Sequence, residues 1–208
     1  TRSKTTKNMK AIELLESDLS ILTLYKISRQ LLNSKDRKAL LPNIKHSQTF
    51  PTVGKYNNDE YFDDINLMSK LEMQGYMTNT LLRDTDFMSM GNSLEVRVPF
   101  IDKEVYDYVS QIPGSWKIKG KRSKSILIDS MGDLIPEEIK NRKKMGFTLP
   151  FDHWLRTSLK ETLDNVLIGG KERQLKIGLS PEKTSDIWKT YLSSPNDSFW
   201  SRPWALFV

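Results

Sequence analysis

The residues with the clearest chemical potential are nine lysines and arginines that lie between Lys117 and Lys144. Only four acidic residues share this basic segment, so its net charge is +5, nine positive against four negative. A basic segment inside a patterned region favours an anionic partner, either nucleic acid or the phosphates of a small ligand. A solvated basic face is the alternative interpretation, and the charge by itself does not decide between the two.

A second group of charged residues lies between Asp86 and Asp102, where acids and an arginine are interspersed with apolar residues. Glu95 and Arg97 are two positions apart, so on an extended segment their side chains lie on the same side of the chain. We interpret this group mainly as structural ion pairs. Contact with a substrate is the alternative.

The composition excludes several kinds of catalytic site. The 208 residues contain no cysteine, which excludes disulfides, a thiolate zinc site, an iron–sulfur cluster and a cysteine nucleophile. We interpret the two histidines, His46 and His153, as surface residues. No apolar run approaches the ~20 residues of a membrane span, and no signal peptide is visible. We therefore expect a cytoplasmic protein and, because the sequence begins at Thr1, a processed or truncated one.

The elements that position these residues are predicted to be helices, because apolar residues recur at three- and four-residue spacing without strand-like alternation. Prolines, a glycine and several Asn and Ser predict a loop over residues 34–58. The last nine residues are apolar enough to form a docked terminal segment. The predicted helices cover residues 9–33, 61–82, 102–111, 123–131, 136–142, 151–168 and a run that begins after Ser180.

Two long blocks of sequence resemble the C-terminal part of the asparagine synthetase family. Residues 76–102 read YMTNTLLRDTDFMSMGNSLEVRVPFID, and the family has a similar S-M-A-x-S-L-E-x-R-x-P-F-L-D. Residues 134–150 read LIPEEIKNRKKMGFTLP, close to the family's L-P-x-x-I-x-x-R-x-K-x-G-F-x-x-P. Shorter matches lie at KRSKSIL, residues 121–127, and at Trp154. The resemblance covers roughly residues 61–160, and the residues on either side resemble the family only in general character.

This resemblance implies an enzyme that adenylates a carboxylate with ATP, either aspartate or a related acid. Ammonia from glutamine then attacks the adenylate, and AMP and pyrophosphate are released. The implied fold class is mainly α: the chain would be the helical C-terminal portion of an α/β ATP-pyrophosphatase (adenine nucleotide alpha-hydrolase-like) synthetase domain. Residues 1–60 would be an N-terminal helix and proline-containing loop, and residues 61–208 the C-terminal part of that domain.

Two parts that the family needs do not occur in this sequence: the phosphate-binding S-G-G-x-D-S loop and the glutaminase with its cysteine nucleophile. Both normally lie N-terminal to the matched region, so the resemblance implies a fragment that is inactive alone. Its partners would be the upstream ATP-binding and glutaminase regions of the same protein and a small carboxylate substrate. The sequence does not decide whether the protein forms a homodimer. ATP and Mg²⁺ would be bound mainly by upstream residues, and no residue here is expected to ligate the metal.

The resemblance also assigns roles to individual residues. Lys124 takes the position of a lysine that reaches toward the ATP phosphates, where a cation stabilises the transition state as charge moves to pyrophosphate. The residues implied to contact ATP are Lys121, Arg122, Arg142 and Lys144, and those implied to contact substrate are Asp86, Glu95 and Arg97.

Departures from the family pattern leave alternatives open. Phe87 and Ile128 stand where the family usually has arginines, which puts free aspartate in doubt as the substrate. Relatives of this fold modify sugars, close β-lactams or cyclise peptides. A nucleic-acid-binding domain is a second hypothesis, although the sequence contains no aromatic RNP string or GXXG loop. A degenerate interaction domain without catalysis is a third.

Overall fold

The computed structural model describes residues 6–44, 63–118, 120, 124–143, 149–194 and 199–208. Within these ranges the regular structure is helical and contains no strand, as the hydrophobic periodicity predicts. By compactness the chain divides into unit 1, Thr1–Gln48 with Gly146–Val208, and unit 2, Thr49–Met145. This grouping does not test the boundary at residue 60, which rests on the family resemblance and stays a prediction.

The described helices follow one another along the chain with short connections. The α-helices are α1 (Thr6–Leu15), α2 (Ile21–Arg29), α3 (Ser34–Leu40), α4 (Asp64–Glu72), α5 (Arg83–Met90), α6 (Lys103–Ser110), α7 (Gly114–Lys117), α8 (Ser125–Met131), α9 (Glu137–Lys140), α10 (Phe151–Arg156), α11 (Lys160–Asp164), α12 (Lys171–Lys176), α13 (Pro181–Ser193) and α14 (Ser201–Phe207). Two π-helical segments, Met73–Leu82 and Asn165–Gly169, and two 3-10 turns, Pro99–Ile101 and Gly132–Leu134, lie between them. In the described part of the chain, no helix is long and apolar enough to cross a membrane.

The core of unit 1 is built by the helices that follow residue 150. Its centre consists of five side chains that are almost completely buried: Leu155, Leu163, Leu167, Trp188 and Tyr191. Aromatic rings close one side of this core, since Phe151 stacks on Trp200 with ring centroids 4.4 Å apart. Trp204 and Phe207 of α14 also pack against it, which confirms the predicted docked terminal segment.

A polar network ties α10 to α13 beside this core. The hydroxyl of Tyr191 donates a hydrogen bond to Oδ1 of Asp152 at 2.8 Å. Arg156 lies over the Tyr191 ring, 4.2 Å from its centroid, and donates to the backbone oxygen of Leu192 at 3.0 Å. Burial raises the pKa of the Tyr191 hydroxyl, and the bond to Asp152 adds to the effect. Tyr191 therefore acts as a neutral donor inside the core.

Unit 1 also shows where the periodicity misplaces boundaries. The predicted helix over residues 9–33 is two helices, because Leu19 adopts a positive φ of 54° and Ser20 caps α2 through Thr23. The predicted loop over residues 34–58 is wrong at its start, where Asn33 accepts a hydrogen bond from the backbone N–H of Asp36 at 2.8 Å and begins α3. The predicted helix over 151–168 is interrupted between α10 and α11.

Unit 2 is organised around one long helical run. Residues Asp64 to Met90 pass from α4 through the π-helical segment into α5, so the predicted helix over 61–82 is confirmed from residue 64 and extends further. Side chains inside the π-helical segment bind carbonyls five residues back: Thr78 donates to Met73 at 2.6 Å and Asn79 to Gln74 at 3.1 Å. The helices predicted near 102–111, 123–131 and 136–142 correspond to α6, α8 and α9.

Candidate functional site

A polar network at the start of α4 holds the beginning of the basic segment in place. Oδ1 of Asp63 accepts hydrogen bonds from the backbone N–H groups of Ile65 at 3.1 Å and Asn66 at 2.9 Å, which caps α4. Oδ2 accepts a third from the N–H of Gly114 at 2.6 Å. The hydrogen bonds from Asn66 and then Gly114 lower the pKa of the Asp63 carboxyl below its usual value. Asp63 is therefore a charged anchor between α4 and α7.

Asn66 extends this network to the first lysine of the basic segment. Its side chain is buried, and Nδ2 donates to the backbone oxygen of Ile112 at 3.1 Å. Nζ of Lys117 donates to Oδ1 of Asn66. Burial lowers the pKa of Lys117, while the charge of Asp63 opposes that shift. The buried Ser125 at the start of α8 donates to the Lys117 backbone oxygen at 3.1 Å, so α4, α7 and α8 are tied together.

Lys124 lies directly before α8 with its side chain exposed. Its φ of 56° and ψ of 31° place it in the left-handed region, which residues with a Cβ seldom occupy. Such backbone conformations cost roughly 1–3 kcal/mol and cluster at functional sites. This geometry is compatible with the predicted contact to ATP, which stays a prediction. Lys121 and Arg122 lie outside the described residues.

Arg142 is exposed just after α9, and Lys144 lies outside the described residues. Within α9 itself, Lys140 pairs with Glu137 at 2.6 Å. Neither Lys124 nor Arg142 is among the residues that line the apolar groove of unit 2. The shared role of these two cations toward ATP stays a prediction.

The second charged group is exposed and partly self-paired. Arg97 binds Oε1 of Glu95 through Nε and through Nη2, both at 2.9 Å, although the two side chains are 85% and 71% exposed. Asp102 caps α6 by accepting a hydrogen bond from the N–H of Glu104 at 2.8 Å. Asp86 lies exposed on α5. The structure thus contains the predicted proximity of Glu95 and Arg97, and their contact with substrate stays a prediction.

An apolar groove lies within unit 2 and has a volume of about 530 Å³. Its walls come from α4, the π-helical segment Met73–Leu82, the 3-10 turn Pro99–Ile101, α6, α7 and α8. Its lining is mostly apolar, with Met73, Met77, Phe100, Tyr108 and Ile126 among the contributors. Its polar part includes Asn66, Ser69, Lys70, Lys117 and Ser130. This groove was not predicted from the sequence. The only local signal for it is the three- and four-residue spacing of Val105, Tyr108 and Val109 on α6.

The described residues contain no group of three or more acidic or histidine side chains placed to hold a metal ion. A hard cation such as Mg²⁺ prefers oxygen ligands and often binds through substrate phosphates with one or two carboxylates. The described donor set alone therefore does not fit a protein-held Mg²⁺, and binding of the metal mainly by upstream residues and ATP stays a prediction.

Comparison with known proteins connects this arrangement to a family. The family model of asparagine synthase matches residues 5–207, well beyond the blocks recognised in the sequence. Asparagine synthetase [glutamine-hydrolyzing] 1 of Bacillus subtilis is 35% identical over 141 residues, which are 68% of this chain and 21% of that protein. Asparagine synthetase [glutamine-hydrolyzing] 3 of the same organism is 38% identical over 112 residues, 49% of this chain and 18% of that protein.

A relative with a different name also matches. Amidase chyE of Penicillium rubens is 31% identical over 121 residues, which are 55% of this chain and 18% of that protein. The chain therefore spans about a fifth of the length of the curated relatives it matches. No solved structure matches the chain significantly.

Proposed function

Because the chain belongs to the asparagine synthase family, we propose that it is the C-terminal part of an ATP-dependent, amide-forming ligase. The complete protein adenylates a carboxylate, aspartate or a related acid, and transfers ammonia from glutamine with release of AMP and pyrophosphate. The family match over almost the whole chain is the observation that carries this proposal. Two Bacillus relatives named as glutamine-hydrolysing asparagine synthetases support it.

In this proposal the helical chain completes an α/β ATP-pyrophosphatase domain whose phosphate-binding loop lies in the upstream part of the protein. That upstream part also supplies the glutaminase and the carboxylates that share Mg²⁺ with the ATP phosphates. We propose a cytoplasmic location for this activity. This assignment of ATP, glutamine and metal binding to the upstream part is compatible with two observations. The chain spans about a fifth of the length of its relatives, and it contains no S-G-G-x-D-S loop.

Lys124 is proposed as the catalytic cation. When the α–β phosphate bond breaks, negative charge accumulates on pyrophosphate, and a fixed ammonium stabilises that state more than the ground state. An exposed side chain on a left-handed backbone before α8 is available for such a contact. Lys121, Arg122, Arg142 and Lys144 add positive charge around the phosphates.

The proposal is tested by ATP–pyrophosphate exchange in the full-length protein with aspartate and with related acids. We expect Lys124→Ala to lower the exchange rate by about 10²–10³-fold, since loss of one transition-state contact typically has that effect. Lys124→Arg should restore part of the rate because it retains the charge. Lys176→Ala removes an exposed lysine of α12 in unit 1 and should leave the rate unchanged.

An unchanged exchange rate in Lys124→Ala would contradict the role of this residue but not the ligase itself. Absence of exchange with every carboxylate tested would instead favour the non-catalytic interaction domain. Phe87 supports the interaction domain, because an exposed phenylalanine stands where the family usually has an arginine. Binding of nucleic acid with a steep dependence on salt would favour the nucleic-acid-binding domain.

A further inference from the structure

The residue that follows Lys124 is completely buried, although Lys124 itself is exposed. Ser125 begins α8, and its hydroxyl donates a hydrogen bond to the backbone oxygen of Lys117 at 3.1 Å. A buried hydroxyl without a partner is costly, and this bond supplies the partner. The bond also joins the last residue of α7 to the first residue of α8. Ser125 therefore fixes the start of α8 to the end of α7.

The residue that accepts this hydrogen bond is itself held in place. The ammonium of Lys117 donates to Oδ1 of Asn66, a buried residue of α4. Asn66 in turn donates from Nδ2 to the backbone oxygen of Ile112 at 3.1 Å. Ser125 is therefore connected through Lys117 to α4, which belongs to the long helical run of unit 2.

The backbone of Lys124 has an unusual conformation at the start of α8. Its φ of 56° and ψ of 31° are left-handed, and its carbonyl oxygen accepts a hydrogen bond from the N–H of Ile128 at 3.1 Å. A left-handed residue with a Cβ is unfavourable and persists only where the surrounding structure determines it. The bond from Ser125 to Lys117 is such a constraint, because it fixes the residue directly after Lys124. Since the backbone dihedral angles set the direction of Cβ, the Lys124 side chain leaves the chain in a defined direction.

We propose that Ser125 is a positioning residue for Lys124: the hydrogen bond from its hydroxyl to Lys117 keeps Lys124 in the left-handed conformation from which the ammonium reaches the ATP phosphates. This inference rests on the proposed function, which gives Lys124 its role, and it adds the residue on which that role depends. A charged group stabilises a transition state best when its position is fixed before the reaction. A displacement of about 1 Å can lower a rate by ~10²-fold.

The test is a double-mutant cycle in the full-length protein, measured by ATP–pyrophosphate exchange with the acid that gives the fastest exchange. Ser125→Ala removes the hydroxyl and changes the buried volume little. We expect it to lower kcat for exchange by about 10–10²-fold and to leave the KM for ATP nearly unchanged, because the contact that it misplaces is made in the transition state. When Lys124 is already replaced by alanine, Ser125→Ala should cause no further loss, because the two residues act as one unit.

Ser193→Ala is the matched control. Ser193 is an exposed residue of α13 in unit 1, and its hydroxyl also donates to a backbone oxygen, that of Thr190 at 3.2 Å. Its replacement should leave kcat and KM unchanged. If thermal unfolding shows that Ser125→Ala is not folded, Ser125→Cys takes its place in the cycle, because a thiol is a much weaker donor of similar shape.

Two outcomes would overturn the positioning role alone. If Lys124→Ala is slow but Ser125→Ala exchanges as fast as wild type, the hydroxyl does not position Lys124. If Ser125→Ala lowers the rate by the same factor with and without Lys124, the serine supports the fold and does not act through that lysine. Absence of exchange in the wild-type protein would instead contradict the ligase itself, and the positioning role with it, so the two failures are distinguishable.

Discussion

We expect the stability of unit 2 to depend on the protonation state of Asp63. Its carboxylate accepts three backbone hydrogen bonds, and these lower its pKa in the folded state. A lowered folded pKa stabilises the fold above the unfolded value of about 3.9, and that contribution is lost as the pH falls through the folded pKa. We expect Asp63→Asn to cost ~1 kcal/mol at neutral pH and to weaken the loss of stability in acid.

This prediction is checked by urea unfolding of the 208-residue chain at several pH values between about 7 and 2. Asp133→Asn, which changes an exposed acid on the 3-10 turn after α8, serves as the control and should keep the wild-type pH profile. If Asp63→Asn and wild type lose stability in parallel over this range, the ionised form of Asp63 is not the anchor described above.

Asp63, Asn66 and Lys124 show how much of the candidate site could be predicted from the sequence alone. The capping role of Asp63 is local, because an acid directly before an apolar helical run is a signal for a helix start. Its bond to Gly114 joins positions 51 residues apart, and the bond between Asn66 and Lys117 spans the same separation. Neither contact has a sequence signature. Lys124 could be singled out only because the family resemblance gave that position a role.

At the scale of elements, periodicity predicted the existence of helices well and their interruptions poorly. The helices near 102–111 and 136–142 were recoverable because helix-start signals precede them, Asp102 in the first case and Pro136 with Glu137 in the second. The division of residues 9–33 depends on one positive φ at Leu19, and α3 depends on the cap at Asn33. A π-helical register such as Met73–Leu82 retains an apolar pattern close to that of an α-helix, so spacing does not reveal it.

The contact between α4 and α7 gives a prediction at this scale. A Cβ on Gly114 would overlap Oδ1 of Asp63 and lie 2.5 Å from Cβ of Ile65, so either these side chains or the backbone that carries them must shift. We expect Gly114→Ala to lower the free energy of unfolding by about 1–3 kcal/mol, as overpacking typically does. The midpoint of urea unfolding measures this change.

Gly169→Ala is the matched control for that substitution. A Cβ at Gly169 meets no atom within 4 Å, and the residue lies at the end of the second π-helical segment. Its effect should stay within about 0.5 kcal/mol. A Gly114→Ala protein as stable as Gly169→Ala would mean that α4 and α7 do not approach each other as closely as described.

At the scale of the whole molecule, the two units differ in how completely their apolar side chains are buried. Unit 1 has a core of five almost fully buried side chains surrounded by aromatic rings. In unit 2 the apolar side chains of the groove rim, such as Phe100 and Tyr108, stay mostly in contact with solvent. The sequence could not predict this difference in burial between the two units. Apolar spacing indicates which side chains gain from burial, but it does not indicate whether the surface that would bury them lies in the same chain.

The last prediction concerns the 208-residue chain by itself. It contains candidate cations for the ATP phosphates, but its sequence has no S-G-G-x-D-S loop and its described part has no acidic cluster for a metal. Since binding of ATP and Mg²⁺ needs backbone N–H donors around the phosphates as well as positive charge, we expect no ATP–pyrophosphate exchange above background from the isolated chain. The full-length protein, assayed at equal molar concentration, should exchange. Turnover by the isolated chain that Lys124→Ala abolishes would show that these 208 residues build a complete adenylating site, and the assignment of ATP binding to the upstream part would then be wrong.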